Sequence, residues 1–353
     1  MIYPQNLCKG DKVGVTATSA GCETAADLTA LESGIQHFHE LGYPVRETKN
    51  VRSFYKGRSS DGPQRAKELC QLFEDEDVKV VIAAHGGDYL VEMLPNIDFD
   101  MIRKHPKWVQ GYSDMTSLLF IITTNLDIAT IYAYNFSSFG MERWHKSLED
   151  NLSILAGSDI IQESFEWYQD GYVEKVTGLE EFKQDKKVEW KNLHPVNDND
   201  NGITLNVMND NDNGVILKGR ILGGCLDVLL NLVGTRFDKT REFIRKYRQD
   251  SILWFLESFD LGSEALIKGL WQLKEAGWFA NASGFVFGRP AMYHTSTDTT
   301  YEEAVLSVLG ELNLPIILDT DIGHKPPQFA LINGAIAEVR SKGGKGSIIF
   351  GRR

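Results

Sequence analysis

The stretch Gly111-Tyr112-Ser113-Asp114 is where the chain first looks able to do chemistry. Trp108–Gly111 reads as a strand, and residues 115–123 carry the apolar spacing of a helix. A strand-to-helix turn puts the Ser113 hydroxyl on a sharp corner, with helix-start N–H groups aimed at any oxyanion formed beside it. The same pattern also serves a plain N-cap, because Ser and Asp before a helix take up its unpaired N–H groups. It is not the GxSxG elbow of α/β-hydrolases, since Met115 stands in the last position.

A serine nucleophile needs a base, and the base needs an orienting carboxylate. His324 sits in Asp321-Ile322-Gly323-His324-Lys325-Pro326-Pro327, where Gly and two prolines fix an irregular loop. It reads either as a turn histidine or as a base held on a rigid loop. His85 ends an apolar run beside Gly86-Gly87 and could line a site. The other six (His37, His39, His105, His145, His194 and His294) fall on a predicted amphipathic helix or in polar turns and loops. Glu257 closes the apolar run SILWFL. A carboxylate at the end of a buried strand is costly unless paired, and strand C-termini are where α/β folds hold their chemistry. The other reading of Glu257 is a salt-bridged acid facing solvent, and Asp260 is its rival as orienter.

Gly86-Gly87-Asp88 follows the β-branched run at residues 78–84. A glycine pair there lets backbone N–H groups approach a ligand, either a phosphate or an oxyanion. Neither GxGxxG nor GxxxxGK[ST] occurs, so nucleotide-phosphate binding lacks its usual support.

These residues need elements to hold them. Residues 12–18, 43–47 and 78–84 read as strands, with helices at 25–41 and 65–73 between them. That alternation predicts βαβ units on a parallel sheet. Further on, a strand at 215–222 is expected to stop at Gly223-Gly224, before a helix at 225–232. Strands at 251–256, 284–287 and 315–318 alternate with helices at 263–276 and 300–309. Residues 328–332 and 335–339 are expected to form a hairpin around Asn333-Gly334. The predicted fold class is α/β: an N-terminal doubly wound, mostly parallel domain at 1–162 and a smaller mixed α/β domain at 201–353. A charged connector at 163–200 joins them.

NDNDNG occurs twice, at 197–202 and 209–214. An EF-hand register puts Met208 or Arg220 where a bidentate Glu is required, so calcium is rejected. Two Asn-Gly turns flanking a strand at 203–208 are expected instead. Four scattered cysteines without a CxxC support neither a zinc site nor a disulfide framework. No metal is therefore predicted. Of the 353 residues, 37 are Lys or Arg and 49 are Asp or Glu, a net charge of −12. That excess argues against nucleic acid and anionic membranes as partners. The opening MIYPQNLCKGDKVGV lacks the h-region of a signal peptide, and no apolar run reaches membrane-spanning length, so a cytoplasmic protein is expected.

Taken in order, the blocks KGDKVGV, HGGDYLVEMLPNIDFDMIRKHPKWVQGYSDMTSL, KGRILGGCLDVLLNLVGT, ILWFLES and DIGHKPPQFALINGA resemble the L,D-carboxypeptidases. That serine peptidase family also contains the microcin C immunity (MccF-like) proteins. The resemblance runs from about residue 6 to the C-terminus and is weakest at roughly 140–210. It implies a Ser113–Glu257–His324 triad shared between the two domains, with the site between them, and backbone oxyanion donors at Gly87 and Asp114. It also implies a homodimer without cofactor. His85, Gly86 and Asp88 become candidates for substrate contact. The expected substrate is a murein tetrapeptide, from which D-Ala is released. The alternative is an aminoacyl-nucleotide of the microcin type, and a third possibility is a binding module without activity.

Murein-recycling members carry an RGGYG-type sequence where this chain has His85-Gly86-Gly87-Asp88-Tyr89. Residues 135–152 look closer to the MccF-like branch. Trp144, Trp167 and Trp190 lie in or near the connector, either as platforms for a nucleobase or as packing residues.

Overall fold

The computed structural model describes residues 1–171, 173–193 and 214–351. The chain divides into two units. The first comprises Met1–Ile160, Tyr172–Phe182 and Phe329–Gly334; the second comprises Ile161–Gly171, Lys183–Gln328 and Ala335–Arg353.

The first unit is built on a sheet whose order, edge to edge, is Val45–Glu47, Lys12–Thr16, Val78–Ala83, Trp108–Gly111, Thr130–Tyr132 and Leu331–Asn333. The first five run parallel and the last antiparallel. In chain order the parallel strands stand 2-1-3-4-5, so the winding reverses between Lys12–Thr16 and Val78–Ala83. A crevice opens at the C-terminal ends of strands at such a reversal. Val78–Ala83 reads VKVVIA and is buried at all positions but Lys79, as expected of a central parallel strand covered on both faces. The helix Ala25–Glu40 starts at a capping box between Thr24 and Asp27, and Gly62–Glu74 starts at an Asp61 cap followed by proline. Thr116–Leu126 reads TSLLFIITTNL; every residue but Asn125 is buried, so this helix is a core element rather than an amphipathic one.

The sheet of the second unit runs Gln162–Glu163, Lys345–Gly351, Ile336–Lys342, Val215–Cys225, Ile252–Glu257, Ala282–Gly288, Ile316–Thr320 and Lys191–Leu193. The four strands from Val215–Cys225 to Ile316–Thr320 are parallel, and the flanking strands pair antiparallel.

Three sequence expectations differ from this architecture. Gly223-Gly224 does not end a strand: Val215–Cys225 continues through it, with Gly223, Gly224 and Cys225 in register with Phe255, Leu256 and Glu257. Only Leu226–Leu229 follows as helix. Asn333-Gly334 does not close a hairpin. Leu331–Asn333 pairs with Thr130–Tyr132 in the first sheet, whereas Ile336–Lys342 pairs with Val215–Cys225 and Lys345–Gly351 in the second. Finally, the charged stretch after residue 162 is divided between the units, and Trp167–Tyr168 pairs there with Lys186–Lys187. Short charged strands leave almost no periodic signal, because their order comes from neighbours distant in sequence. The two Asn-Gly repeats except Gly214, the strand expected at 203–208 and His194 lie outside the described residues.

Candidate active site

In the first unit, the C-terminal ends of the parallel strands carry the polar side chains. The chain leaves Trp108–Gly111 and turns into Ser113, whose φ is +62°. A non-glycine residue in the left-handed region is uncommon, and it marks strain held by the surrounding structure. A short 3₁₀ turn, Ser113–Met115, leads into Thr116–Leu126, and no side chain caps either start. Ser113 is therefore not the helix cap that its neighbourhood allowed.

The glycine pair lies against this corner. A Cβ on Gly86 would come 3.3 Å from the Ser113 hydroxyl and 3.6 Å from Nδ2 of Asn135, so a larger residue would crowd the serine. Gly87 has φ +145° and abuts Ser19. Ser19 donates to the Asp114 carboxylate at 2.6 Å and accepts the Tyr89 N–H at 3.1 Å; Asp114 also accepts the Leu90 N–H at 2.9 Å. This buried knot ties the glycine loop to the turn after Ser113. Burial pushes the Asp114 carboxyl up, and the Ser19 and Leu90 hydrogen bonds hold it back in part. The Ser113 N–H points to the Tyr132 hydroxyl at 3.5 Å, and the Tyr112 N–H to Oδ1 of Asn135 at 3.2 Å. Among the described residues, the N–H groups of Gly87 and Asp114 donate to no protein acceptor.

The second unit has its own strand-end cluster. Glu257, the last residue of Ile252–Glu257, is fully buried, and its Oε2 lies 2.8 Å from Nδ1 of His324. The His324 side chain is 12% exposed. Burial alone would lower its pKa, but the charge and hydrogen bond of Glu257 outweigh it, and the net shift is upward. The ring of Phe259 packs 4.7 Å from the imidazole. Gly323 has φ +90°, and a Cβ there would meet Glu257 Oε2 at 2.6 Å. Asp260 is exposed on the following turn, 4.0 Å from His294; His324 is paired with Glu257 instead.

The loop bearing His324 is pinned on both sides. Arg289 donates to Asp321 at 2.9 Å and to the Lys325 carbonyl at 3.3 Å, and Trp190 donates to Asp321 at 3.0 Å. Lys325 reaches Asp170 at 2.6 Å, and the Gln169 N–H donates to the Pro326 carbonyl at 2.8 Å. The Pro326-Pro327 bond is cis.

The remaining candidates fall as follows. His85 stands 3.6 Å from the Cys22 thiol, and burial lowers its pKa. Asp88 is exposed. Trp190 is buried with its indole N–H on Asp321, and Trp144 packs with His37, Phe38 and Phe139. Trp190 is therefore a packing residue, whereas Trp144 is half-buried. Trp167 is partly exposed, with Lys187 over its ring at 5.3 Å. Among the described residues, no cluster of His, Cys, Asp and Glu could hold a metal, and no helix is long and apolar enough to cross a membrane.

Sequence reasoning missed Ser19, Asn135 and Tyr132 in the first unit and Asp227, Arg289 and Asp170 in the second. A signal was present for most of them. Ser19 and Asn135 lie three residues past parallel strands, Arg289 one residue past and Asp227 two residues past, the positions that a parallel sheet presents at its C-terminal edge. Asp170 had none.

Two mainly parallel α/β units, each with polar side chains gathered at its strand ends, define the class of protein. The family follows from comparison. Residues 13–133 match the LD-carboxypeptidase N-terminal domain and residues 218–339 the LD-carboxypeptidase C-terminal domain. The chain belongs to the LD-carboxypeptidase (peptidase S66) family. It is 25% identical to a probable murein peptide carboxypeptidase of Bacillus subtilis over 343 residues, covering 96% of this chain and 91% of the relative. It is 26% identical to the microcin C7 self-immunity protein MccF of Escherichia coli over 335 residues, covering 92% and 89%. A solved structure of MccF in complex with aspartyl sulfamoyl adenosine shares the fold, with TM-score 0.79, 20% identity and coverage of 100% and 99%.

Proposed function

We propose that this protein is a serine-type carboxypeptidase that cleaves the L,D-bond of murein tetrapeptide and releases D-Ala. Ser113 is the nucleophile, His324 the base and Glu257 its orienter. The observation that carries the reading is the buried Glu257 carboxylate on Nδ1 of His324. With Nδ1–H donated to Glu257, the imidazole lone pair is on Nε2, the atom that can take a proton. The strained Ser113 corner supports the nucleophile's role, and family membership supports the reaction class.

In the proposed reaction, Nε2 of His324 takes the Ser113 hydroxyl proton as Oγ attacks the carbonyl carbon. The carbonyl oxygen gains the electron pair and is met by the N–H groups of Gly87 and Asp114. Each such donor is worth about 2.7–4 kcal/mol in comparable sites. His324 then passes its proton to the departing D-Ala nitrogen as the C–N bond breaks. Water, deprotonated by the same imidazole, releases the acyl group and restores Ser113. His85, Gly86 and Asp88 border this chemistry as candidate substrate contacts.

A second reading, hydrolysis of an aminoacyl-nucleotide, is favoured by the likeness to MccF and by the partly exposed ring of Trp167. Incubating the purified protein with murein tetrapeptide and, separately, with an aminoacyl sulfamoyl adenosine tests both. Release of D-Ala is expected; cleavage of the sulfamoyl adenosine alone would overturn the murein assignment. The reading includes a cytoplasmic homodimer, for which light scattering should return twice the chain mass.

A further inference from the structure

Asp227 stands two residues past Val215–Cys225, the strand whose last residue is in register with Glu257. Its two carboxylate oxygens accept the backbone N–H groups of Phe259 and Asp260, each at 2.9 Å. One side chain thus holds both N–H groups of the turn that follows Glu257. The Cys225 thiol donates to the same carboxylate at 3.5 Å. Burial, and then the Glu257 charge, drive that thiol's pKa well up, so it stays a neutral donor. Phe259, fixed by Asp227 through its backbone, lays its ring 4.7 Å from the His324 imidazole at 44°.

We propose that Asp227 is a positioning residue for the His324 base: it fixes the turn that seats Phe259 on the imidazole, and it adds a second negative charge to that of Glu257. The proposal rests on the reading of His324 as the base. Glu257 and Asp227 both act electrostatically on the imidazole. Glu257 bonds it directly, and Asp227, past the end of the strand beside that of Glu257, adds a charge that favours the imidazolium. Lys325 is engaged with Asp170 at 2.6 Å and Arg289 with Asp321 at 2.9 Å. Asp260, on the same turn, is exposed and faces His294.

The two arms of the role separate experimentally. Asp227→Asn removes the charge and one of the two acceptors. His324 should then titrate at lower pH, and the acid limb of kcat/KM should move with it. Relative to its plateau, kcat/KM on the acid side should rise about three- to tenfold, the effect of one charge several ångströms away. The plateau kcat should fall about tenfold as the ring loses its seat, with KM little changed. Phe259→Leu keeps the charge, so it should lower kcat without moving the acid limb. If Asp227→Asn does not fold, Asp227→Ser serves as the uncharged variant.

The measurement is an NMR titration of the His324 imidazole in the full-length protein, paired with the pH profile on murein tetrapeptide. An unmoved His324 titration in the uncharged variant, or a wild-type plateau kcat, overturns the proposal. The titration does not depend on turnover. Failure of the base reading is therefore seen separately, as full hydrolysis by His324→Ala.

Discussion

Glu257 Oε2 lies 2.8 Å from Nδ1 of His324, and the carboxylate is wholly removed from water. A buried carboxylate without a partner is strongly disfavoured, so the imidazole stabilises the acid as much as the acid orients the imidazole. The two residues are 67 positions apart in sequence and meet because their strands end at the same edge of one parallel sheet.

Replacing Glu257 by Gln keeps the size of the side chain and removes its charge. The imidazole then loses its main reason to hold a proton, and its tautomer is no longer fixed by a carboxylate. By analogy with triads in which the acid becomes an amide, kcat should fall by about 10⁴-fold. His324 should titrate at lower pH than in the parent. Steady-state kinetics and an NMR titration of the ring check the two parts.

The pH profile follows from the same pair. The His324 pKa is raised above histidine's ordinary 6.5, and in the proposed reaction the ring must be neutral to accept the Ser113 proton. Protonation below the raised pKa therefore removes the base. kcat/KM should rise with pH through a single ionisation lying above 6.5. A profile already flat at acid pH would contradict this.

Ser19 is not a member of the proposed triad, yet through the Asp114 carboxylate and the Tyr89 N–H it holds the glycine loop to the turn after Ser113. Ser19→Ala leaves a buried carboxylate short of a donor, and the loss in stability should be about 1–3 kcal/mol. The Gly87 backbone should lose its placement, so kcat should fall more than KM rises. Denaturant unfolding together with kinetics would show both.

How much of this was legible before the structure depended on whether the cause was local. The parallel core was readable because Val78–Ala83 is apolar along its length, and the Ser113 corner because strand and helix patterns meet there. Glu257 was visible as an acid closing an apolar run. What could not be read were partnerships across the sequence. The sheet exchange of Leu331–Asn333 is one, since an Asn-Gly pair looks like a hairpin whichever sheet its flanks join. The Trp190–Asp321–Arg289 cluster is another, because a tryptophan in a charged stretch gives no sign of being buried. The clamp of Asp170 on Lys325 spans 155 residues and rests on a strand of two residues, below any periodicity.

Gly323 offers a sharper test of the His324 loop. Gly323→Ala should cost about 1–2 kcal/mol from its left-handed backbone alone. It should also displace the Glu257 carboxylate, which a new Cβ would meet at 2.6 Å. Gly343 has φ +60° and open space around it, so Gly343→Ala pays only the backbone cost. Both variants should lose stability in thermal unfolding, but only Gly323→Ala should lose most of its kcat.

The proposed function stands on attack by the Ser113 hydroxyl on the L,D-bond of murein tetrapeptide. Quantifying D-Ala released by the wild type and by Ser113→Ala, at matched concentration and confirmed folding, addresses it most directly. Steady D-Ala release by the wild type and a loss of at least about 10³-fold in the variant are expected. Comparable release by Ser113→Ala, or none by the wild type, would contradict it.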